Sequence, residues 1–365
     1  MSYYIGLLSG TSVDGIDAAI VKIATGEITL IATHEQSFSA DLKHQVQSLI
    51  KTQQTTLANY ANCDILLAEE FSAAVNALVA KSNLKAKDIV AIGSHGQTIY
   101  HQPNSDSQNK RTTIQIGSPH NIAAKTGIDV VANFRQMDMA LDGQGAPLAP
   151  TLHEKLYNKN QQNRAVVNLG GIANISFFGK DFPQVIGFDT GPANCLLDEW
   201  INIHQNKSYD KDGDWAQQGK LNKALLEQML SDDYFQKLAP KSTGREYFNQ
   251  KWLENFTEQL KTTSSVDVQN TLTHLTAKSI ANEISKQSAT IDKIIVMGGG
   301  AYNAYLVQLI GKYTRVQVEV AKNANWIEAI LFAYLAERRI NQQQLDLFSI
   351  TGSEVPLLLG DIIKK

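Results

Sequence analysis

At 365 residues, with 43% hydrophobic and 19% charged residues, the chain has the composition of a globular protein with sizeable cores, which excludes an intrinsically disordered chain. A formal net charge of −3 gives no basic surplus for nucleic acid or for an anionic membrane surface. The length favours two domains over one.

Cysteine usage and the N-terminal residues indicate the compartment. Cys63 and Cys195 lie far apart and without metal-ligand spacing, so we expect neither a disulfide framework nor a metal site formed by cysteine. The first residues lack a basic region followed by an uninterrupted apolar segment, so no signal peptide is expected. Nowhere are there 18 consecutive apolar residues, so no transmembrane helix is expected either. The sequence therefore predicts a cytoplasmic protein that binds neither nucleic acid nor membranes.

The first half of the chain alternates predicted strands and helices. Apolar runs and periodicity predict strands over 3–8, 16–23, 28–38, 89–95, 113–116 and 128–132, and helices over 41–81 and 119–126. This alternation is typical of an α/β layer architecture.

The second half begins beyond a loop dense in glycine and proline, at 141–150. We place the domain change there, with domains over 1–140 and 141–365 and a C-terminal tail that could pack back on the first domain. Residues 164–178 again read as strand, glycine turn, strand, like the opening of the first half. A helix is predicted from Pro192, with Thr190 or Gly191 as its cap. The sequence thus predicts two α/β domains built on one plan.

Two glycine-containing hairpin turns could hold phosphate. Ser9-Gly-Thr-Ser-Val-Asp-Gly15 and Asn168-Leu-Gly-Gly-Ile-Ala-Asn174 each join two apolar strands. Glycine lets the backbone N–H groups approach an anion, so each turn could bind phosphate oxygens; alternatively each is only a structural turn. Matching turns in two similar domains would face each other across a cleft and hold a polyphosphate from both sides.

A third glycine run, Met297-Gly-Gly-Gly-Ala-Tyr-Asn303, joins a buried strand to a helix. Three glycines would let a flat ring or a phosphate lie against the backbone, with the helix N-terminus adding positive potential. A packing role is the alternative. The GxGxxG pattern of dinucleotide-binding folds is absent from this run.

Asp189, in Gly187-Phe-Asp-Thr-Gly-Pro-Ala-Asn194, is the strongest candidate for catalysis. It ends a predicted strand beside a helix N-terminus, whose dipole favours the ionised carboxylate. The carboxylate could act as a general base beside a phosphoryl acceptor, or it could merely help to cap the helix.

Other polar residues could contact a sugar or its carboxylate. Gly93-Ser-His-Gly-Gln-Thr98 follows a buried strand and carries side chains that read hydroxyl groups. His95 could instead be a structural histidine, and nothing at ligand spacing makes it a zinc site. Arg135 suits a substrate carboxylate or a structural salt bridge. Glu328 is charged within an otherwise apolar helix, where it could pair internally or reach a ligand.

Taken together, nine motifs in order resemble one family. They are GLLSGTSVDGIDAAIV, IGSHGQTIYHQP, TGIDVVANFR, GQGAPLAP, NLGGIANIS, GFDTGPANCLLDEW, DKDGDWA, PKSTGRE and VMGGGAYN. In this order, from residue 5 to about 338, they closely resemble the anhydro-N-acetylmuramic acid kinase family. The C-terminal tail is the part that is matched least.

The resemblance implies an α/β fold of two duplicated actin-like (ribonuclease H-like) domains that flank a nucleotide and substrate cleft, as in hexokinase and the Hsp70 ATPase domain. It implies that ATP phosphorylates O6 of 1,6-anhydro-N-acetylmuramic acid while water opens the anhydro bridge. The products would be N-acetylmuramic acid 6-phosphate and ADP, in peptidoglycan recycling and amino sugar catabolism. It also implies Mg²⁺ bridging the phosphates, with no protein ligand to the metal assigned, and a homodimer.

The resemblance also assigns roles to residues at matching positions. Asp189 matches the catalytic base, which would deprotonate the attacking water. The expected ATP contacts are Gly10, Thr11, Ser12, Val13, Asp14, Gly15, Ile16, Asp17, Gly170, Gly171, Gly298, Gly299, Gly300 and Asn303. The expected sugar contacts are Ser94, His95, Gln97, Thr98, Arg135, Asn194 and Glu328. Val13 and Ala193 depart mildly from the family pattern, where Leu and often Gly are expected.

Two other readings remain open from the sequence. Another actin-fold sugar kinase would use an Asp to deprotonate a hydroxyl of a free hexose, with no bond hydrolysed. A non-enzymatic protein, an ATP-dependent filament former or a sugar-sensing repressor, would show no turnover with any sugar. The first strand begins by residue 3, which leaves no room for an N-terminal DNA-binding helix pair and disfavours the repressor.

Overall fold

A computed structural model gives the structure and describes residues 2–10, 13, 15–105, 110–158 and 162–365. Two compact units divide the chain. Unit 1 contains residues 1–152 together with 326–365, and unit 2 contains residues 153–325. By contacts, the C-terminal 40 residues therefore group with the first unit. The domain limits of 1–140 and 141–365 stay predictions.

Twelve strands and fifteen α-helices occur in the described residues. The strands are β1 (Ser2–Ser9), β2 (Gly15–Ala24), β3 (Glu27–Ser37), β4 (Ile89–Gln102), β5 (Thr112–Ile116), β6 (Val130–Ala132), β7 (Arg164–Leu169), β8 (Ile172–Phe178), β9 (Ile186–Pro192), β10 (Lys293–Met297), β11 (Val318–Val320) and β12 (Asp361–Ile363). The helices are α1 (Ala40–Thr52), α2 (Leu57–Lys81), α3 (Pro119–Thr126), α4 (Gln136–Ala140), α5 (Pro150–Tyr157), α6 (Asn194–Gln205), α7 (Asp214–Gln218), α8 (Lys223–Leu230), α9 (Asp233–Gln236), α10 (Gln250–Glu254), α11 (Thr257–Thr262), α12 (Ser265–Ser285), α13 (Ala304–Thr314), α14 (Ile327–Ile340) and α15 (Phe348–Thr351).

The sheet of unit 1 has the strand order β12-β6-β4-β1-β2-β3, with β5 paired to β4. Strands β1, β2 and β3 form an antiparallel meander, whereas β4 and β6 run parallel to β1. The last strand of the chain, β12, adds antiparallel to β6. No strand is predicted from the sequence in the tail that begins at Gln342, but this segment completes an edge of the sheet.

Helices cover both faces of this sheet. On one face α14 lies directly on the paired glycines Gly6 of β1 and Gly93 of β4. A Cβ at Gly6 would overlap the carbonyl oxygen of Ala329, and one at Gly93 would overlap that of Phe332, so only glycine allows this approach. The core contains Ile5, Leu7, Ile20 and residues of α1, α2 and α3. Apolar burial on this scale provides the main stabilisation of the unit.

Unit 2 repeats the plan with a five-stranded sheet in the order β11-β10-β7-β8-β9. Strands β7, β8 and β9 form an antiparallel meander, and β10 and β11 run parallel to β7. These are the relations among β1, β2, β3, β4 and β6 in unit 1. The predicted α/β class with two domains on one plan is therefore confirmed.

Helices α12 and α13 build one core of unit 2 against β7, β8, β9 and β10. A second core contains Leu196 and Leu197 of α6, Leu225 of α8, Trp252 of α10 and Leu272 of α12. α12 is long and buried along most of its length although it carries many polar residues, among them Gln269, Asn270 and Glu283.

Two predicted helices differ from the structure. The helix predicted over 41–81 is interrupted at residues 53–56, where Gln53 adopts φ 52° and the Thr56 hydroxyl caps α2 by accepting the Asn59 N–H. The helix predicted from Pro192 begins at Asn194, because Pro192 still belongs to β9. Among the helices of the described residues, none combines the length and hydropathy needed to cross a lipid bilayer.

Candidate active site

In unit 2 the glycine turn between β7 and β8 is tied to the start of α6. The backbone N–H groups of Ala193 and Cys195 donate to the Gly171 carbonyl, and that of Asn194 donates to the Gly170 carbonyl, each at 3.0 Å. The Asn194 side-chain amide donates to the Leu169 carbonyl at 3.0 Å. The predicted cap at Thr190 or Gly191 is wrong, since hairpin carbonyls accept these first N–H groups and Ala193 is the N-cap residue.

Three polar residues form a row across the sheet next to this turn. Asn168 of β7 pairs with Asn174 of β8, and Asn174 pairs with Asp189 of β9. Directly opposed residues of antiparallel strands point to the same face, so the three side chains share one face. The Asn174 Oδ1 atom is buried with no hydrogen-bond partner among the described residues. A buried amide oxygen without a partner is costly, which fits a surface that completes its hydrogen bonds with a ligand.

Asp189 itself is 7% exposed and is held from three sides. The Thr243 N–H donates to Asp189 Oδ2 at 3.0 Å, which orients the carboxylate. The Asp189 N–H donates to the Lys241 carbonyl at 3.0 Å, and the Tyr234 hydroxyl donates to the Asp189 carbonyl at 2.8 Å. Burial, with the charge of Asp189 close by, raises the pKa of Tyr234, so this phenol stays a proton donor.

The segment that holds Asp189 is anchored by a buried ion pair. Lys241 Nζ lies 2.9 Å from Glu283 Oε1 of α12, and both side chains are almost completely buried. Lys286 also donates to the same oxygen at 2.8 Å. Breaking a buried pair by removing one partner typically costs about 3–5 kcal/mol, so the 241–243 segment has little freedom to move away from Asp189.

Arg245 continues this segment toward the glycine turn. Its guanidinium Nε and Nη2 lie 2.9 and 3.0 Å from the position that a Cβ on Gly171 would take. Arg245 is exposed and carries a guanidinium fork suited to phosphate or carboxylate oxygens. It stands where an anion bound at the Gly170–Gly171 turn would meet it.

The second glycine run of unit 2 packs against the same strand end. Gly298 has φ +77°, and a Cβ there would overlap the Asn168 side chain. A Cβ at Gly300 would come within 2.8 Å of the Leu169 side chain and 3.0 Å of Asn194 Oδ1. Gly299 differs, because a Cβ there would meet no described atom within 4 Å. Packing within the chain therefore explains Gly298 and Gly300 but leaves open space at Gly299.

Asn303, expected at the adenosine, caps α13 by accepting the Leu306 N–H at 2.9 Å. It packs against the loop that begins at Asp210, since a Cβ on Gly213 would overlap the Asn303 side chain. Asp210 holds that loop by accepting the N–H groups of Trp215 and Ala216, both at 2.9 Å. The loop from Asp210 thus packs against the start of α13, shortly after the glycine run at 298–300.

In unit 1 the turn between β1 and β2 is described at Gly10, Val13 and Gly15. The predicted contacts Thr11, Ser12 and Asp14 lie outside the described residues. The Val13 N–H donates to the Gly10 carbonyl at 3.1 Å, and Val13 has φ 56° with its side chain in the core. A β-branched residue with this φ costs on the order of 1–3 kcal/mol, and such strain concentrates at functional sites. Ile16 is fully buried.

Asp17, also expected at the phosphates, lies among carboxylates. It pairs with Glu35 across the β2–β3 ladder, and Glu328 of α14 is close enough to interact with it electrostatically. Burial, together with these two negative charges, raises the pKa of Asp17 to about 7. Such a group repels a bare phosphate, whereas it suits a cation or a hydroxyl group. The expected Asp17 and Glu328 contacts are thus neighbours.

His95 and Arg135 of unit 1 bind each other. Arg135 donates Nε and Nη2 to His95 Nε2 at 3.1 and 3.0 Å, and its Nη1 donates to the Gly145 carbonyl at 2.6 Å. A guanidinium only donates, so the His95 proton sits on Nδ1 and is donated to the Gly96 carbonyl at 3.0 Å. Burial and the Arg135 charge lower the pKa of His95 well below its usual range, and its ring packs 4.6 Å from that of Phe332.

The other sugar contacts expected in unit 1 lie on β4 with several unsatisfied polar atoms. Ser94 Oγ and Gln97 Oε1 are buried without a partner among the described residues. The neighbouring Ser9 Oγ, at the end of β1 opposite Gln97, is in the same state. Thr98 Oγ1 accepts from Gln115 at 3.2 Å. Unsatisfied hydroxyl and amide groups of this kind can form hydrogen bonds with the hydroxyl groups of a sugar.

A metal centre made by the protein alone is not found in the part of the chain that the structure describes, where no three His, Cys, Asp or Glu residues are grouped to hold an ion. Mg²⁺ bound with a nucleotide usually takes one or two carboxylates plus phosphates and water. The carboxylates at Asp17 fit that requirement.

The sequence did not identify the residues that support Asp189. Tyr234, Thr243 and Glu283 come from 45 to 94 positions further along the chain, and only folding brings them to β9. The PKSTGRE motif indicated that the segment from Lys241 to Arg245 belongs to the family pattern. The sequence did not, however, assign a role to any residue of this segment.

Comparison with known proteins then identifies the family. A family model described as "Anhydro-N-acetylmuramic acid kinase" matches residues 2–365. The chain is 42% identical over 364 residues to the anhydro-N-acetylmuramic acid kinase of Shewanella sp. (strain ANA-3), covering 98% of each chain. It is 43% identical over 361 residues to that of Sulfurovum sp. (strain NBC37-1), again covering 98% of each. Among solved structures, component A of the Acidaminococcus fermentans (R)-2-hydroxyglutaryl-CoA dehydratase superposes with a TM-score of 0.47 at 11% identity, covering 91% of this chain and 96% of that one. The matches to the family model and to these two kinases establish that the chain belongs to the anhydro-N-acetylmuramic acid kinase family of enzymes.

Proposed function

We propose that the protein uses ATP to phosphorylate O6 of 1,6-anhydro-N-acetylmuramic acid while water opens the anhydro bridge, giving N-acetylmuramic acid 6-phosphate and ADP. The observation that carries this proposal is the Asp189 carboxylate, oriented by the Thr243 N–H beside a glycine turn at the end of β7. Family membership supplies the substrate class. The carboxylate supplies the base that the hydrolytic half of the reaction needs.

In the proposed step Asp189 takes a proton from a water molecule whose oxygen attacks C1 of the sugar. The C1–O6 bond breaks, and its electron pair stays on O6. O6 then bonds to the γ-phosphorus as the bond to the oxygen of the leaving ADP breaks. One base at the water therefore drives both bond cleavage and transfer, and the proton on Asp189 later returns to solvent.

The supports around Asp189 suit a base that must keep one orientation. Thr243 fixes Oδ2, while Tyr234 and Lys241 fix the backbone on which the carboxylate stands. Preorganisation of this kind spares the reorganisation that a mobile carboxylate would need during the reaction.

For ATP we propose contacts at the glycine turns of each unit. In unit 2, Gly170 and Gly171 would meet the phosphates with Arg245 beside them, and the space open at Gly299 would take the adenosine next to Gly298, Gly300 and Asn303. In unit 1, the segment from Gly10 to Asp17 would meet the phosphates through backbone N–H groups and hydroxyls. Mg²⁺, when bound with ATP, neutralises phosphate charge, and Asp17 is the carboxylate we propose beside it.

For the sugar we propose Ser94, His95, Gln97, Thr98, Arg135 and Glu328 of unit 1, with Asn194 of unit 2. Unsatisfied atoms of Ser94 and Gln97 supply the hydrogen-bonding capacity. Neutral His95, with its proton on Nδ1, orients the Arg135 guanidinium, the group that we propose for the carboxylate of the substrate. We also propose that the reaction serves peptidoglycan recycling in the cytoplasm and that the protein is a homodimer.

Substrate preference tests the proposal. The protein is incubated with ATP and Mg²⁺ and either 1,6-anhydro-N-acetylmuramic acid or free N-acetylmuramic acid, and ADP release is followed. We expect turnover with the anhydro sugar and at least a hundredfold lower kcat/KM with the free sugar. Preference for the free sugar would instead support a kinase of the hexokinase type. ATP-dependent sedimentation without turnover on either sugar would support a filament former.

A further inference from the structure

Asp138 is a fully buried carboxylate in α4 of unit 1, three positions after Arg135, and no role has been assigned to it so far. Its Oδ2 accepts the Gly145 N–H at 2.6 Å. Its Oδ1 accepts the hydroxyls of Thr351 and Ser353, each at 2.6 Å. Hydrogen bonds to a charged oxygen at these distances are among the strong ones in proteins.

The two hydroxyls come from the C-terminal segment, more than 200 positions along the chain. Thr351 also accepts the Gln144 N–H at its carbonyl, at 2.8 Å. Residues 351–353 therefore bind the loop 141–147 twice, once through the Asp138 carboxylate and once through the backbone. The loop fits closely around the carboxylate, because a Cβ at Gly143 would overlap it.

This contact continues to the proposed sugar residues. Gly145, held by Asp138 through its N–H, accepts Arg135 Nη1 at its carbonyl. Arg135 in turn donates to His95. Gly145 has φ +73° and a Cβ there would come within 2.8 Å of Met139, so its position is tightly defined. Ser353, Asp138, Gly145 and Arg135 thus form an unbroken series of hydrogen bonds ending at His95.

We infer that Asp138 is a positioning residue for the sugar site, through which the C-terminal segment, by Thr351 and Ser353, holds Gly145 and so fixes Arg135 on His95. The inference rests on the proposed function for the identity of the sugar. It gives Thr351 and Ser353 of the C-terminal segment an indirect role in substrate binding.

Single hydroxyl deletions test this inference, each with a matched control. Ser353→Ala removes one hydroxyl from the series. Ser72→Ala removes an equally buried hydroxyl of the same unit that donates only to the Ala68 carbonyl of α2. Thr351→Val is matched in the same way by Thr126→Val on α3, whose hydroxyl donates to Ile122. Ser353→Thr keeps the hydroxyl and should restore wild-type behaviour.

We expect Ser353→Ala and Thr351→Val to raise the KM for the anhydro sugar at least fivefold and to leave the KM for ATP within twofold. Asp138→Asn should raise the sugar KM more, and the milder variants keep the test meaningful if Asp138→Asn does not fold. The two controls should leave both KM values within twofold. Equal sugar KM values for Ser353→Ala and Ser72→Ala would overturn the inference.

A second measurement needs no substrate. The ¹⁵N resonance of His95 Nε2 reports the hydrogen bond from Arg135, and it should shift in Ser353→Ala but not in Ser72→Ala. An unchanged resonance would also overturn the inference. If the wild-type protein does not phosphorylate the anhydro sugar, the proposed function fails, while this resonance still decides whether the C-terminal segment holds Arg135 on His95.

Discussion

The backbone N–H of Thr243 donates to Oδ2 of Asp189 at 3.0 Å, although 54 positions separate the two residues in the chain. This bond sets the orientation of the carboxylate proposed as the base. The backbone of Asp189 is fixed separately, by Lys241 and by the Tyr234 hydroxyl. The proposed chemistry thus depends both on the carboxylate and on the residues that hold it, and each can be altered independently.

Replacing the carboxylate should stop the reaction without affecting nucleotide binding. Asp189→Asn keeps the shape and the bond from Thr243 but cannot take a proton at neutral pH. General base catalysis is typically worth about 10²–10⁴-fold, so we expect kcat to fall by about a thousandfold. Calorimetry should give a Kd for ATP within twofold of the wild type. Full activity of the variant would remove Asp189 from the base role.

Removing one support should have a smaller effect of the same kind. Tyr234→Phe deletes the hydroxyl that holds the Asp189 carbonyl, and a lost bond of about 1 kcal/mol corresponds to roughly a fivefold to tenfold fall in kcat. Tyr247→Phe is the control, because that hydroxyl belongs to the same aromatic cluster but donates to Asp232 at 2.8 Å. Steady-state kinetics should separate the two variants; an equal fall in both would count against the positioning of Asp189 by Tyr234.

Substitutions of Gly298 and Gly299 should have different effects, one on stability through packing and the other on nucleotide binding. Gly299→Ala places a methyl group in open space, so unfolding free energy should change by less than about 0.5 kcal/mol while the KM for ATP rises at least fivefold. Gly298→Ala should destabilise the protein by about 1–3 kcal/mol, because of its positive φ and the overlap with Asn168. Urea unfolding measures the change in stability of each variant, and steady-state kinetics measure its KM for ATP. An unchanged KM for ATP in Gly299→Ala would refute the adenosine contact.

Arg135 should not be replaceable by lysine. Its guanidinium reaches His95 Nε2 with two nitrogens and the Gly145 carbonyl with a third, a planar arrangement that an ammonium group cannot reproduce. Arg135→Lys should therefore raise the KM for the anhydro sugar about tenfold and leave that for ATP unchanged. Arg338→Lys, in the same unit but bonded to Gln343 and Gln344, is the control. A normal sugar KM in Arg135→Lys would exclude Arg135 from the sugar site.

Asp17 should make the protein less stable as pH rises. Its folded pKa of about 7 lies above the unfolded value of about 3.9, so the folded state binds the extra proton between these values. Stability therefore falls from about pH 4 to about pH 7, and the full cost remains above that. Asp17→Asn should match the wild type at pH 4 and be more stable by on the order of 4 kcal/mol at pH 8, because the pKa shift is about three units and each unit corresponds to about 1.4 kcal/mol.

Glu35→Gln removes one of the two charges beside Asp17 and should give part of this gain at pH 8. Urea midpoints across the pH range measure both variants. A stability difference between Asp17→Asn and the wild type that is the same at pH 4 and pH 8 would rule out the raised pKa.

Much of the fold could be predicted because its signals are local. Apolar runs interrupted by glycine predicted both hairpins, and the recurrence of that pattern predicted two units with one plan. Strand β12 and the hydrogen bonds of Thr351 and Ser353 could not be predicted, since they depend on contacts with residues more than 200 positions away. At Pro192 the usual preference for a helix start was outweighed, because the carbonyls of Gly170 and Gly171 define where α6 begins.

In the candidate site, too, some residues could be predicted from the sequence and others could not. Asp189, His95 and Arg135 could be picked from the sequence because their residue types stand at strand ends and in polar loops. Their partners could not, since a hydrogen bond such as Thr243 to Asp189 involves a backbone group that carries no residue-type signal. The break between α1 and α2 at residues 53–56 could be predicted only in part. It contains neither glycine nor proline, but Thr56 is of a residue type that commonly caps helices.

Hydrolysis and phosphoryl transfer are coupled in the proposed reaction, and the fate of the water oxygen tests this coupling. The protein is incubated with ATP, Mg²⁺ and 1,6-anhydro-N-acetylmuramic acid in ¹⁸O-labelled water, and the product is analysed by mass spectrometry. We predict one ¹⁸O atom at C1 of a 6-phosphorylated sugar and none in the phosphoryl group. A 6-phosphorylated product without label at C1, or ADP formed with labelled inorganic phosphate and intact anhydro sugar, would show that hydrolysis of the bridge and transfer to O6 are not coupled.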